Sequence, residues 1–408
     1  MESKIFTPCQ IGPVTLRNRV IRSAAFENMA YGNKPSQDLY DYHVAVARGG
    51  VGMTTVAYAA VSQSGLSFDG QLWMREEIVP ELRKLTDAVH AEGAKASIQL
   101  GHCGNMTHRA TCGCMPVGAS NGFNLYSPTF VRKLRKDEIH GLVKDFGHAV
   151  ELARQAGFDC VEIHAGHGYL ISQFLSPYTN HRHDEFGGSL ENRMRFPLRV
   201  VRAIREAAGP GCILELRISG SDCLPGGITP EDNIVFCRAL EDVIDIVHVS
   251  AGVYEDPKLF TRVHPSIYVP NGCNAELAHQ IKAQIATPVA VVGGINTPEL
   301  AEEILASGKA DLIAMGRAHI ADPQFARKLW EGRREEITPC VRCLNCMDVS
   351  KPGKCLLCTV NPRAGRLSSH PVPYPRTEQP RKVVVIGGGP GGMSAAITAK
   401  SCGHEVVL

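Results

Sequence analysis

Cys160-Val161-Glu162-Ile163-His164-Ala165-Gly166-His167-Gly168-Tyr169 is a short, mostly apolar run that breaks into glycines, imidazoles and a phenol. Such a run reads as a buried strand that ends in a polar turn. Runs of the same kind recur at Val20 to Ser23, Val51 to Val56, Ala94 to Leu100, Ile213 to Ile218, Ile244 to Val249, Pro288 to Val292 and Asp311 to Met315, each followed by a helical pattern. Eight βα units in roughly 300 residues predict an α/β fold, the closed (β/α)8 TIM barrel. The rival is a doubly wound open sheet. That fold usually needs fewer strands and carries a Gly-rich phosphate loop after the first one, and none follows Val20.

In a barrel, the C-terminal ends of the strands form the active-site face. Gln99, His164, Arg217, Ser250, Gly293-Gly294 and Gly316-Arg317 fall there. The stretch from His102 to Val131 is too long for a plain turn and predicts a lid or substrate loop. The whole chain has 408 residues, 44% hydrophobic and 21% charged, with a net charge of +2 and no long charge run. That balance excludes an electrostatic footprint for nucleic acid or an anionic membrane, so small molecules are the expected partners. No apolar stretch approaches the roughly 20 residues of a membrane span. Met1-Glu2-Ser3-Lys4 lacks the apolar core of a signal peptide, so a cytoplasmic protein is expected. Nothing in the sequence fixes the oligomeric state, and a homo-oligomer stays open.

Fifteen cysteines without an export signal point to reduced thiols and metal ligation rather than disulfides. Five of them lie between Cys340 and Cys358. The spacing Cys340-x2-Cys343-x2-Cys346-x11-Cys358 fits a cubane iron–sulfur cluster better than the two separated pairs of structural zinc. Cys355 is an alternative fourth ligand. Because this segment lies outside the eight-strand core, loss of the cluster is expected to leave the barrel's own cofactor bound. A Pro-rich linker follows, and then the strand-like run Val383 to Ile386 enters Gly387-Gly388-Gly389-Pro390-Gly391-Gly392 ahead of a small-residue helix at Ser394 to Lys400. Gly387, Gly389 and Gly392 fill G-x-G-x-x-G in the context that makes a pyrophosphate site credible. The expected divisions are a barrel over 1–335, a cysteine segment over 336–368, a linker over 369–380 and the start of a dinucleotide-binding domain over 381–408. One βα unit cannot fold as a domain, so the chain is expected to be a piece of something longer.

Inside the barrel, His164, His167 and Tyr169 follow one strand within six residues, a grouping that favours catalysis over packing. The two histidines could also begin a metal site. Cys103, Cys112 and Cys114 with His102 and His108 leave a second metal in the lid open, although idle thiols explain them more simply.

These residues resemble the old yellow enzyme family, in particular its long iron–sulfur branch, to which bacterial 2,4-dienoyl-CoA reductase and trimethylamine dehydrogenase belong. The resemblance covers essentially the whole chain. It rests on Leu16-Arg17-Asn18-Arg19, Gln99-Leu100-Gly101-His102, His164 to Tyr169, Gln173-Phe174-Leu175-Ser176-Pro177, Phe186 to Arg193 and Gly316-Arg317. It implies FMN at the barrel mouth, with Ser23, Ala24, Ala25 and Ala57 near the ring and Gln99 at its pyrimidine edge. Arg217 would face the N1 and O2 positions, and Gly293, Gly294, Gly316 and Arg317 the phosphate. His164 and His167 would polarise the carbonyl of an activated alkene, and Tyr169 would protonate its α-carbon. FAD on the glycine turn would accept a hydride from NAD(P)H and pass electrons through a 4Fe-4S cluster at Cys340, Cys343, Cys346 and Cys358.

Three departures narrow this picture. Ser23 to Ala30 contains no cysteine, so a covalent flavin is not expected. Only Trp73 and Trp330 are available for an aromatic cage around a quaternary amine, which favours ene reduction over amine oxidation. Tyr254 stands where dienoyl-CoA reductases of this type place a second catalytic histidine, which puts a dienoyl-CoA substrate in doubt. An amine dehydrogenase, or a flavin and iron–sulfur redox sensor, are the competing functions.

Overall fold

The structure, a computed structural model, describes residues 3–350, 355–371 and 374–408. Parts of the expected cysteine segment (351–354) and linker (372 and 373) lie outside the described residues. Eight parallel strands form the barrel: β1 (Val20–Arg22), β2 (Met53–Ala60), β3 (Lys95–Gly101), β4 (Cys160–Ala165), β5 (Ile213–Ser219), β6 (Ile246–Ser250), β7 (Val289–Val291) and β8 (Leu312–Met315). Neighbours in sequence pair in order, and β8 pairs with β1, which closes the sheet. Nearly every strand residue is buried, because helices cover the outside while side chains fill the inside. That double burial is why these strands appear in the sequence as continuous apolar runs.

The principal helices are α1 (Gln37–Arg48), α2 (Val79–Ala91), α3 (Lys136–Gln155), α4 (Leu190–Ala208), α5 (Pro230–Arg238), α6 (Ala275–Lys282), α7 (Pro298–Ala306) and α8 (Phe325–Trp330). Ser36, Ser189, Thr229 and Thr297 cap four of them by accepting a backbone N–H of the first turn. Each such cap contributes about 1 kcal/mol. A hairpin, Cys9–Ile11 with Val14–Leu16, packs Ile11 and Leu16 against Met53, Cys160, Ile213 and Ile246 at the starts of their strands. The bottom of the barrel is thereby plugged, so ligands reach it from the other end.

Two elements differ from their expected bounds. β2 continues to Ala60 through an irregular register between Val56 and Ala59 opposite β3, and so carries Tyr58 to the mouth. The C-terminal helix spans Pro390–Ser401, starting four residues before the expected Ser394, with Gly389 as cap and Pro390 in its first turn. Its flanking strands, Lys382–Val384 and Glu405–Val407, pair in parallel. Ile386 and Ile397 of this unit stand 97% and 70% exposed. Among the described residues, no helix is long and apolar enough to cross a membrane.

Candidate active site

The C-terminal ends of the strands surround a cavity of about 900 Å³. Ser23, Ala24, Ala25, Gln99, Arg217, Gly293, Gly294, Gly316 and Arg317 all line it, together with His164, His167 and Tyr169. Ala57 does not. It belongs instead to a small apolar cluster with Tyr58, Cys103, Met106 and Tyr169. The stretch after β3 folds over the mouth as a short helix, Arg109–Cys112, and a small sheet, and contributes Met106, His108, Thr111 and Tyr126 to the wall.

Two guanidinium groups in this wall each carry a buried nitrogen without an acceptor. Arg217 donates from Nη1 to Ser23 Oγ at 2.8 Å, while its buried Nε has no acceptor. Arg317 has a buried Nη1 without one, and burial lowers its pKa. Unpaired buried donors are costly, so an anionic or acceptor-rich ligand fits between them. Backbone at Gly293 and Gly294 has φ of +154° and +65°, and a Cβ on Gly293 would meet the Asn274 side chain at 2.6 Å. At Gly316 the nearest atom to such a Cβ is 3.9 Å away. This bare backbone beside Arg317 suits a phosphate, and the residues expected to hold FMN therefore fit it.

The histidines are placed by an unusual turn. His167 adopts φ of +59° and is fixed there by its N–H, which donates to Ser219 Oγ at 2.8 Å. Ser250 Oγ donates to the Ile218 carbonyl at 2.7 Å, so the 2.9 Å contact between Ser250 Oγ and His167 Nε2 is a bond donated by the imidazole. His167 Nδ1 is then an acceptor, 3.4 Å from His164 Nε2. His164 Nδ1 accepts from the Gly166 N–H at 3.4 Å, so the His164 proton sits on Nε2 and its N–H faces His167 Nδ1. Burial, with Arg217 next, holds both imidazoles well below their ordinary pKa, and burial raises the Tyr169 phenol. At neutral pH all three are uncharged.

Tyr58, Tyr126 and Tyr254 gather around Tyr169. Ring centroids lie 5.6 Å apart for Tyr58 and Tyr169, 6.2 Å for Tyr169 and Tyr254 and 5.2 Å for Tyr126 and Tyr254. Tyrosines from four separate segments thus line the cavity, where the sequence reading had weighed only the two tryptophans. Trp330 is elsewhere, edge-on to Phe6. Tyr254 Oη lies 2.7 Å from His264 Nε2, a pairing the sequence did not suggest.

Cys340, Cys343, Cys346 and Cys358 line one small cavity beside Arg317. Cys355 does not line it and donates weakly to the Gly365 carbonyl at 3.8 Å. Among the described residues, no three thiol sulfurs lie within 4.8 Å of one another. A single tetrahedral zinc with Zn–S bonds near 2.3 Å would draw them to about 3.8 Å. In the lid, Cys112 Sγ lies beside Cys114, whose carbonyl is at 3.2 Å, while Cys103 Sγ bonds the Leu66 carbonyl and His102 Nε2 lies 3.1 Å from Ser64 Oγ. Among the described residues, no three of these ligand atoms lie within 4.8 Å of one another. In the C-terminal turn, Gly387 has φ of +112° and a Cβ on Gly392 would lie 1.8 Å from the Gly387 oxygen, while nothing lies within 4 Å of one on Gly389. These are the tight turn, the close helix packing and the open approach of a dinucleotide fingerprint.

A plugged barrel with such a mouth falls in the class of (β/α)8 barrels that hold an anionic cofactor over their strand ends. The family described as NADH:flavin oxidoreductase / NADH oxidase matches residues 4–336, and an FAD binding domain matches residues 382–408. The chain is 40% identical to the NADH oxidase of Thermoanaerobacter brockii, over 99% of its own length and 62% of that protein's. It is 37% identical to a probable N-methylproline demethylase of Rhizobium meliloti (strain 1021), over 99% of this chain and 60% of that one. A 2-naphthoyl-CoA reductase solved with 2-naphthoyl-CoA superposes with a TM-score of 0.92 at 30% identity, over 98% of this chain and 63% of the other. The chain belongs to the NADH:flavin oxidoreductase / NADH oxidase family. It spans about three fifths of the length of these relatives.

Proposed function

We propose that the protein is a flavin-dependent ene-reductase acting on an α,β-unsaturated carbonyl compound, with electrons drawn from NAD(P)H. The observation that carries this is the buried, uncharged set of His164, His167 and Tyr169 on the cavity wall shared with Gln99 and Arg217. FMN bound by Ser23, Ala24, Ala25, Gln99, Arg217, Gly293, Gly294, Gly316 and Arg317 would supply the hydride. The four cysteines are assigned to a 4Fe-4S cluster and the Gly387, Gly389 and Gly392 turn to FAD, an electron path from NAD(P)H. Residues 1–335, 336–368 and 381–408 then divide these tasks.

The His164 Nε2–H donates to the substrate carbonyl oxygen. Before substrate enters, His167, whose own Nε2–H is engaged by Ser250, holds that N–H with its Nδ1, and the bond passes from His167 to the carbonyl oxygen on binding. Tyr169 gives its proton to the α-carbon. A buried phenol that holds its proton tightly still matches a basic enolate. The tyrosine walls favour a flat, uncharged reacting end. They also suit an alkylated amine, and with a relative named as a demethylase they keep amine dehydrogenation as the second reading.

Stopped-flow mixing of pre-reduced Tyr169→Phe with a weakly activated enone tests this. Alkene reduction should slow by about 10²–10⁴-fold, the usual size of general acid catalysis, while flavin reduction is unchanged. Full-speed enone reduction would remove Tyr169 from the mechanism, and rapid reduction of the oxidised flavin by secondary or tertiary amines would favour the second reading.

A further inference from the structure

Beneath Gln99 and Arg217 the barrel interior holds titratable groups that the reaction above does not use. Glu162 on β4 and Glu215 on β5 stand opposite each other in register, and His248 on β6 lies beside them, all three without solvent exposure. Glu162 Oε1 accepts from Gln99 Nε2 at 2.5 Å and lies 3.5 Å from Arg217 Nη1. Glu162 Oε2 has no hydrogen-bond partner and lies 3.9 Å from His248 Nδ1. Glu215 Oε1 is 2.6 Å from His248 Nδ1, and Cys160 Sγ donates weakly to Glu215 Oε2 at 3.7 Å. His248 Nε2 is also buried without a partner. The titratable and charged groups facing the pair are therefore Cys160 and His164 on β4, Arg217 on β5 and His248 on β6, with the Gln99 amide on β3.

Charge in this space does not balance with both carboxyls ionised. Arg217 is the one guanidinium against them, and burial with Arg217 pushes His248 down to about 3, so it is neutral. His164 is neutral for the same reason. Two carboxylates around one cation in a buried interior settle by sharing a proton. Burial pushes Glu215 up to about 7 against the pull of Arg217, and burial followed by Glu215 raises Glu162. One carboxyl is then protonated, and the other is left as the counterion of Arg217.

We propose that the Glu162–Glu215 pair is a proton reservoir for the flavin site, taking up a proton when the cofactor above it is reduced and releasing it on reoxidation. This rests on the FMN assignment made above. Reduction places two electrons and one proton on the ring system and leaves one negative charge at the pyrimidine edge, against Arg217. That charge competes with the remaining carboxylate for the same guanidinium. A second proton, from solvent, converts the carboxylate to a carboxyl and frees Arg217 to face the flavin, so the buried charge stays constant. The reductant is NAD(P)H, or dithionite in the test, and hydride transfer to substrate returns the second proton to solvent.

The test uses the full chain, anaerobically, after flavin release by acid has confirmed stoichiometric FMN. Absence of FMN would defeat the functional assignment itself. With FMN present, its midpoint potential is followed between pH 5.5 and 8.5 together with the absorbance of the reduced flavin. The expected wild-type result is two protons per two electrons near pH 7 while the reduced flavin keeps the spectrum of its monoanion. The Glu162→Gln/Glu215→Gln double variant should fall to one proton with the same spectrum, whereas either single Gln stands in for the carboxyl already protonated and leaves the other to take up the second proton. The redox-difference infrared spectrum of the wild type reads the same event without mutation, as a carboxyl C=O band that appears on reduction and shifts in D2O. One proton per two electrons in the wild type, a neutral reduced flavin accounting for the second, two-proton uptake retained in the double variant, no such band, or a stoichiometric divalent ion held by Glu162, Glu215 and His248 would each overturn the proposal.

Discussion

At His167 a left-handed backbone, a serine on β5 and a serine on β6 fix one imidazole, and its tautomer follows from them. The consequence is a difference between two residues that look equivalent in sequence. His164→Ala should weaken a phenolic active-site ligand by about 1–3 kcal/mol, the cost of a lost buried hydrogen bond, whereas His167→Ala should cost less in affinity. Equal losses in a ligand titration would show that both imidazoles donate. Protonation gives a second check. Both histidines are held below their unfolded pKa, so each stays neutral above it, and the stability they contribute is lost only as pH falls below about 6.5. The rate of enone reduction by pre-reduced enzyme should therefore be flat between pH 6.5 and 8, with no inflection from His164 or His167. The motif itself was legible, because three reactive side chains follow one apolar run. Ser250 was visible only as a polar strand end. Its partnership with His167 joins residues on separate strands, a contact that pattern cannot reveal.

Whole elements were legible where burial dictates composition. All eight barrel strands appear as apolar runs within a few residues of their true bounds. The extension of β2 to Ala60 was not visible, since its register shift leaves no turn residue behind. The cysteine segment was legible as a ligand set but not in its placement. Cys340, Arg342, Cys346, Cys355 and Leu356 form part of the flavin cavity's wall, and Arg342 Nη1 donates to the Val269 carbonyl at 2.6 Å, tying the segment to the loop after β6. This shared wall predicts coupling between the proposed cluster and the flavin, where the sequence alone predicted independence. Cys358→Ser should lose iron and also lower FMN occupancy of the purified protein, while Cys355→Ser should keep its iron. Iron and flavin analyses of the two variants decide this, and full FMN occupancy in iron-free Cys358→Ser would restore independence.

For the whole molecule, the plugged bottom and the wide mouth make the barrel core and the cofactor cavity unequal in stability. Layers of Ile, Val and Leu close the lower barrel without help from any ligand. The mouth, by contrast, buries Arg217 Nε and Arg317 Nη1 without acceptors and carries glycine backbone at positive φ. Such groups are costly until a ligand meets them, so FMN should act as a structural component of the upper barrel and not as a passenger. Acid precipitation should release all flavin, because no cysteine occupies Ser23 to Ala30. Flavin removed under milder, non-denaturing conditions should leave a folded barrel with a lower Tm. Adding FMN back to 100 times its Kd should then stabilise the native state by about 2.7 kcal/mol, and 1,000 times by about 4.1, if it binds the native state alone. Tm should rise with the logarithm of FMN concentration, whereas riboflavin, which lacks the phosphate that Gly293, Gly294 and Arg317 are arranged to receive, should need far higher concentrations for the same shift. Equal potency of riboflavin and FMN in a thermal-shift titration would mean that the glycine turn and Arg317 do not hold a phosphate.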